Sequence, residues 1–254
     1  MAPMNNRLMR PRAKGGFDPK SITGLIMWLD ASDSSTITPA SQPLADTGAI
    51  TTWSDKSGLG QSMVQNNAVN RPTYLASGIG GKPAISFTRT GSQFMAGTFS
   101  HALTQCSMFF VGSVGNQNDR MVSLVTAGNV GDFVGAAQFV PLLASSTTNV
   151  VANINGNVNQ VGRTITNDTP FISHMSNNGT TLSHRVNNGT AATASQALNG
   201  TYGTMVFCSV FSNSYNSGFT GRMAEILFYN RQVSDSENAA IIAYLSKKYG
   251  IAVS

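Results

Sequence analysis

From residue 24 to residue 230 the chain is built of short runs rich in Val, Ile, Phe and Thr, separated by clusters of Gly, Asn, Ser and Pro. Apolar runs of this length, bounded by turn formers, read as β-strands. The pattern predicts strands at 24–31, 83–88, 105–114, 120–126, 133–143, 149–154, 157–162, 170–176, 180–186, 203–211 and 219–230. No segment of helical period alternates with them. An antiparallel sandwich is therefore expected, not a βαβ arrangement.

Two connections carry explicit turn chemistry. Asn155-Gly156 lies between NVVANI and NVNQV, and Asn178-Gly179 lies between FISHMS and TTLSHRV. Asn-Gly supplies the positive φ angles of a type I′ hairpin turn. The second hairpin places His174 and His184 on paired strands, where a facing pair would offer two metal ligands, but no third ligand is evident. The Asn-Gly-Thr sequons at Asn178, Asn188 and Asn199 have the same simple reading as turns.

One helix is expected, at about 235–249. Ser234 and Glu237 have capping-box spacing, in which the Ser234 hydroxyl accepts from the Glu237 N–H and the carboxylate accepts from the Ser234 N–H. Ala240, Ile241, Tyr244, Leu245 and Tyr249 form an apolar stripe. Lys247 and Lys248 sit in the last turn, and Gly250 can end it.

Charge changes the picture at one end only. Hydrophobic residues make up 41% of the chain and charged residues 11%, so a sizeable core is available under a mostly neutral polar surface. Arg7, Arg10, Arg12, Lys14 and Lys20, set against Asp18 alone, carry +4 of the net +5. The basicity belongs to an arm, residues 1–21, ahead of a nearly neutral body, residues 22–254. The arm's cations run into Gly15, Gly16, Asp18 and Pro19 and not into an apolar stretch, so a secretory signal is not expected and synthesis in a cytoplasm is. No apolar run approaches the roughly 20 residues of a membrane span. Cys106 and Cys208 lie in apolar strand-like runs and read as buried thiols.

The segments GLIMWLDASDSSTIT (24–38), ITTWSDKSGLGQSM (50–63), RPTYLASGIGGKPAISFTRTGSQFM (71–95) and FTGRMAEILFYNRQVSDSENAAIIAYLSKKYGI (219–251) resemble the concanavalin A-like, laminin-G-type jelly-roll domains. The resemblance spans about residues 22–252 and implies one all-β, antiparallel jelly-roll sandwich with an extended N-terminal arm and a C-terminal α-helix. Stand-alone domains with these segments look like those among tailed-bacteriophage virion proteins and secreted bacterial surface proteins, and the lack of a signal-like N-terminus favours the virion branch. Fold alone does not fix function.

Within these segments Trp28 and Trp53 read as core anchors before sugar platforms. Asp30, Asp33 and Asp55 are the only calcium candidates, since some members of the fold bind calcium at a loop end, but calcium takes about six to eight oxygens. Asp30 and Asp55 serve equally as Asx-turn acceptors or as partners of Lys56 or Arg71. No metal or other cofactor is assigned.

Catalysis finds little support. Glycosidases of this broad fold resemble one another in paired carboxylates on one strand, about 5 to 5.5 Å apart in retaining enzymes. This chain has two Glu in all: Glu237, engaged in the capping box, and Glu225, alone in RMAEILFY, where Arg222 or Arg231 is the expected partner. No GxSxG elbow precedes a helix, and in GIGGKP (78–83) the following Pro83 and strand-like residues contradict a phosphate loop.

The function expected from sequence is therefore non-enzymatic: a virion structural protein, foremost a capsid decoration or cement protein. Its arm residues Arg7, Arg10, Arg12 and Lys14 would dock on the major capsid protein or other virion proteins. A homo-oligomer, a trimer by analogy with local threefold positions, fits that reading. The alternatives are a lectin-like module for host glycans and a tail-fibre or baseplate component. Nucleic acid is not an expected partner, because the arm lacks interleaved aromatics and the body lacks a basic stripe.

Overall fold

The structure is a computed structural model that describes residues 16–115, 119–126, 138–146, 148–154, 160–208 and 219–254. The arm cations Arg7, Arg10, Arg12 and Lys14, and the turn at Asn155-Gly156, lie outside the described residues. In chain order the strands are β1 (Leu25–Asp30), β2 (Ile37–Pro39), β3 (Ile50–Trp53), β4 (Met63–Val64), β5 (Thr73–Ile79), β6 (Lys82–Phe87), β7 (Met95–Leu103), β8 (Cys106–Val114) and β9 (Asp119–Thr126). They continue as β10 (Gln138–Ser146), β11 (Asn149–Ile154), β12 (Val161–Thr164), β13 (Phe171–Asn177), β14 (Thr181–Val186), β15 (Ala192–Ser195), β16 (Gly200–Phe207) and β17 (Gly221–Tyr229). Helix α1 spans Asp235–Tyr249, the bounds expected from its caps.

The strands form two antiparallel sheets packed as a sandwich. The first runs β15-β14-β13-β8-β17-β6-β5, and the second β12-β11-β10-β9-β16-β7-β4-β3-β2. Strand β17 is the hinge of the first sheet. One of its edges pairs with β8 throughout, while the other pairs first with β6 and then, from Glu225 onward, with β1.

Sequence explains why β8 does not alternate. Every residue of CSMFFVGSV is buried, because this strand is covered on both faces. Met108 and Phe110 enter the core between the sheets, whereas Phe109 and Val111 face the opposite way, into a second core under α1. That second core holds Leu227, Tyr229, Ile241, Ile242, Leu245 and Tyr249. Burying side chains of this size contributes about 1.5–3 kcal/mol each, so the helix is bound by its apolar stripe more than by its propensity.

Three expectations are corrected here. His174 pairs with Arg185, and Met175 pairs with His184, so the two histidines point to opposite faces and do not face one another. His174 stacks on Phe109 at 4.2 Å, whereas His184 is bonded to Ser173 and to the Val161 carbonyl. The Asn178-Gly179 turn is wider than type I′: Gly179 has φ 107°, Asn178 does not take a positive φ, and its side chain accepts from the N–H groups of Thr180 and Thr181. Strands β2, β3, β4, β5, β7 and β15 were not expected from the pattern. Each is short or carries exposed and half-buried residues, as in β7, where only Met95, Phe99 and Leu103 are buried.

Candidate functional site

A β-bulge positions the charged centre of the molecule. The register of β17 against β8 slips between Met223 and Glu225, so Ala224 and Glu225 both fall on the side covered by α1. Strand β1 pairs Asp30 with Glu225 and Trp28 with Leu227, which sets Trp28, Asp30 and Glu225 on that face. Two residues of α1 one turn apart, Tyr244 and Lys248, meet them from above.

Glu225 is buried and its carboxylate is saturated. It accepts from Trp28 Nε1 (2.9 Å), Tyr244 Oη (2.8 Å), Lys248 Nζ (2.7 Å) and Tyr249 Oη (2.9 Å). Asp30 accepts from Lys248 Nζ (2.8 Å), Lys56 Nζ (3.2 Å) and the Ser32 hydroxyl (2.6 Å). Lys56 also reaches Asp33 at 2.7 Å and lies 4.3 Å from the Trp28 ring centroid. Three carboxylates and two ammonium groups thus form one chain, Asp33–Lys56–Asp30–Lys248–Glu225.

The electrostatics follow from burial and neighbours. Burial pushes the Asp30 carboxyl up, but Lys248, Ser32 and Lys56 outweigh it and hold Asp30 below the usual carboxylate range. For Glu225, burial and the adjacent Asp30 together exceed the pull of Lys248, and its carboxyl is raised. Burial lowers the Lys56 ammonium, yet Asp33 and Asp30 more than restore it.

The acidic residues singled out in the sequence are thus all accounted for. Asp30 and Asp33 are joined through Lys56. Asp55 is engaged elsewhere, accepting from the Trp28 N–H (2.9 Å), the Ser57 N–H (2.9 Å) and hydroxyl (2.6 Å), and the Gln61 N–H (3.2 Å). This makes Asp55 the organiser of the 54–62 loop against β1. Among the described residues no three His, Cys, Asp or Glu side chains are grouped to hold a metal ion. Trp53 is fully buried in the inter-sheet core, edge-on to Phe207, whereas Trp28 is half-buried at the charged centre. Glu225 pairs with Lys248 and not with either expected arginine: Arg231 is bidentate to Glu237, and Arg222 donates to the Gly78 carbonyl. The signal that points to Lys248 is its spacing. It follows Tyr244 by one helical turn on the flank of the apolar stripe, while Asp30 and Glu225 are charges inside apolar strands and need a buried partner.

A cleft of about 620 Å³ opens beside this centre, lined by Gly16, Phe17, Lys82, Ala240, Ala243, Tyr244, Lys247 and Lys248. Phe17 and Tyr244 stand at its wall with ring centroids 5.3 Å apart. The Gly80-Gly81 turn between β5 and β6 brings Lys82 to it. Both glycines have positive φ, 55° and 72°, and Gly80 sits so close to the Tyr249 carbonyl that a side chain would overlap it. Another cleft of about 310 Å³ lies between the 54–62 loop and β7, lined by Leu59, Gly60, Gln61, Thr98, Ser100 and His101.

No protein-family model matches the chain, and no curated protein matches it in sequence. Among solved structures it superposes on the binding domain of Paraclostridial Mosquitocidal Protein 1 with a TM-score of 0.58 at 11% identity, over 91% of this chain and 53% of that one. The botulinum neurotoxin serotype G binding domain gives a TM-score of 0.60 at 8% identity, over 87% of this chain and 51% of that one. Trypanosoma rangeli sialidase in complex with sialic acid gives 0.55 at 12% identity, over 89% of this chain and 33% of that one. The chain thus spans about half the length of the two toxin domains and a third of the sialidase. At these identities the likeness is one of fold: the chain is an antiparallel β-sandwich with a C-terminal helix.

Proposed function

We propose that this chain is a non-catalytic recognition module whose β-sandwich binds glycans. The observation that carries the non-catalytic part is the state of its carboxylates. Asp30 and Glu225 face each other across two strands, as a hydrolytic pair would, but Lys248 joins them and α1 covers them, leaving the Glu225 side chain fully buried. A general acid must reach the proton acceptor in its substrate, and this one reaches only protein donors. Two superposed structures bear the name of binding domains, which supports a recognition role by analogy of fold.

The test is to screen the purified chain against an array of neutral and acidic oligosaccharides, with nitrophenyl glycosides assayed in parallel. Retained glycans with no release of nitrophenol are expected. Hydrolysis that is lost in Glu225→Gln would sink the non-catalytic reading.

A second reading, a virion structural protein docked through its arm on the major capsid protein or another virion protein, is favoured by one feature. The cations Arg7, Arg10, Arg12 and Lys14 precede a body of almost no net charge, an arrangement suited to an acidic docking surface. Removal of residues 1–15 should leave a folded body that no longer joins purified particles. Unchanged incorporation, or no association of the full chain with particles, would eliminate this reading.

A further inference from the structure

We infer that the cleft between Phe17, the β5–β6 turn and α1 is a binding site for a carboxylate-bearing saccharide. The inference rests on the glycan-binding reading and names its site and ligand class. Three observations carry it.

The first is uncompensated positive charge. Lys82 and Lys247 both line the cleft, both are exposed, and neither forms an ion pair among the described residues. Lys248, the third cation, is different in kind, since Glu225 and Asp30 hold its ammonium. Two free ammonium groups in one concave site favour an anion and disfavour a second basic segment.

The second is a fixed aromatic wall. The Tyr244 hydroxyl donates to Glu225 at 2.8 Å and accepts from Lys248 at 3.2 Å, so the ring is locked before any ligand arrives. Phe17 stands 5.3 Å from it at an interplanar angle of 38°. A sugar ring offers apolar C–H faces to such a wall and hydroxyls to the rim, whereas a simple inorganic anion would use the lysines alone. A held ring also spares the ordering cost of binding.

The third is size and pre-formation. About 620 Å³ lies within the range of small-ligand sites, roughly 300–1,000 Å³. The turn that carries Lys82 is set by packing, because Gly80 abuts the Tyr249 carbonyl at the end of α1.

The experiment compares 3′-sialyllactose with lactose, which differ by one carboxylate-bearing sugar, in calorimetric titration of the full chain. Sialyllactose is expected to bind at least ten-fold more tightly than lactose, with affinity falling as salt rises. Lys82→Glu/Lys247→Glu should remove that preference at least ten-fold, and Tyr244→Phe, which keeps the ring and loses the lock, should weaken binding by a smaller factor. Because both lysines are exposed, an unchanged melting temperature in the charge-reversed variant checks that it folds. Equal binding of both sugars, or sialyllactose binding untouched by the double reversal, would overturn the cleft assignment while leaving the glycan module standing. No binding to any saccharide of the array would instead defeat the module itself. Binding of an acidic peptide in the cleft with no saccharide bound would overturn the ligand class.

Discussion

Lys248 on the last turn of α1 donates to the buried carboxylate of Glu225 at 2.7 Å, 23 residues away in the chain, and so ties the helix to the central strand of its sheet. With one partner deleted, the other would remain as an uncompensated buried charge. Lys248→Met should cost about 3–5 kcal/mol by urea unfolding, while Glu225→Gln/Lys248→Met, which neutralises both, should recover a large part of that loss. Additive losses in the double variant would show that the two groups are not coupled.

The other end of α1 depends on pH. Arg231 and the Ser234 N–H hold the Glu237 carboxyl at about 2, well below its ordinary 4.5. A carboxyl depressed in the folded state contributes stability above its unfolded value, and the contribution is lost as pH falls from 4.5 toward 2. The Glu237 side chain is 28% exposed, so solvent screens the pair and the cap dominates. Glu237→Gln should therefore be less stable than the parent by about 1 kcal/mol near pH 7, and the difference should close between pH 4.5 and pH 2. Urea midpoints of the two proteins across that range check it, and a gap that persists at pH 2 would contradict it.

What the sequence revealed and hid follows from the range of each interaction. The bounds of α1 could be read because Ser234, Glu237 and Gly250 are local signals, and each makes the expected contact: Ser234 with Glu237 in the capping box, Gly250 at φ 66°. Strand β8 could be read from its unbroken apolar run. Strands β2 to β5 could not, since β2, β3 and β4 have four residues or fewer and β5 alternates poorly. Gly80-Gly81 has the composition of a two-residue hairpin turn, and it joins β5 to β6 with Ile79 paired to Lys82. The charged centre was half visible: Asp30 and Lys56 lie 26 residues apart in neighbouring charged segments, whereas Lys248 reaches Asp30 across 218 residues. The bulge that turns Glu225 toward α1 has no sequence signal of its own, so nearby arginines had the stronger claim on it.

Gly80 and Gly81 separate two costs that usually come together. Both take positive φ, at 55° and 72°, where an L side chain is strained by about 1–2 kcal/mol. At Gly81 a Cβ would meet nothing, whereas at Gly80 it would overlap the backbone of Tyr249. Gly81→Ala should lose about 1–2 kcal/mol, and Gly80→Ala should lose a further 1–3 kcal/mol, about the cost of overpacking. Gly80→Ala should also displace Lys82 from the cleft and weaken any ligand held there. Similar melting temperatures for the two variants would mean that the turn is not seated on the helix.

Cys106 and Cys208 give a probe of the inter-sheet core. Both are buried thiols outside any disulfide, in the same apolar cluster, and burial pushes the Cys106 thiol far above its ordinary range. A thiol reacts as its thiolate, so a group that is both inaccessible and held protonated should be inert. In the folded protein a neutral disulfide reagent at pH 8 should titrate neither thiol over minutes. In denaturant it should titrate both. Reaction that tracks the denaturant midpoint would show that the thiols are released only by global unfolding, whereas prompt reaction of one thiol in native buffer would show that the sandwich opens locally at that strand.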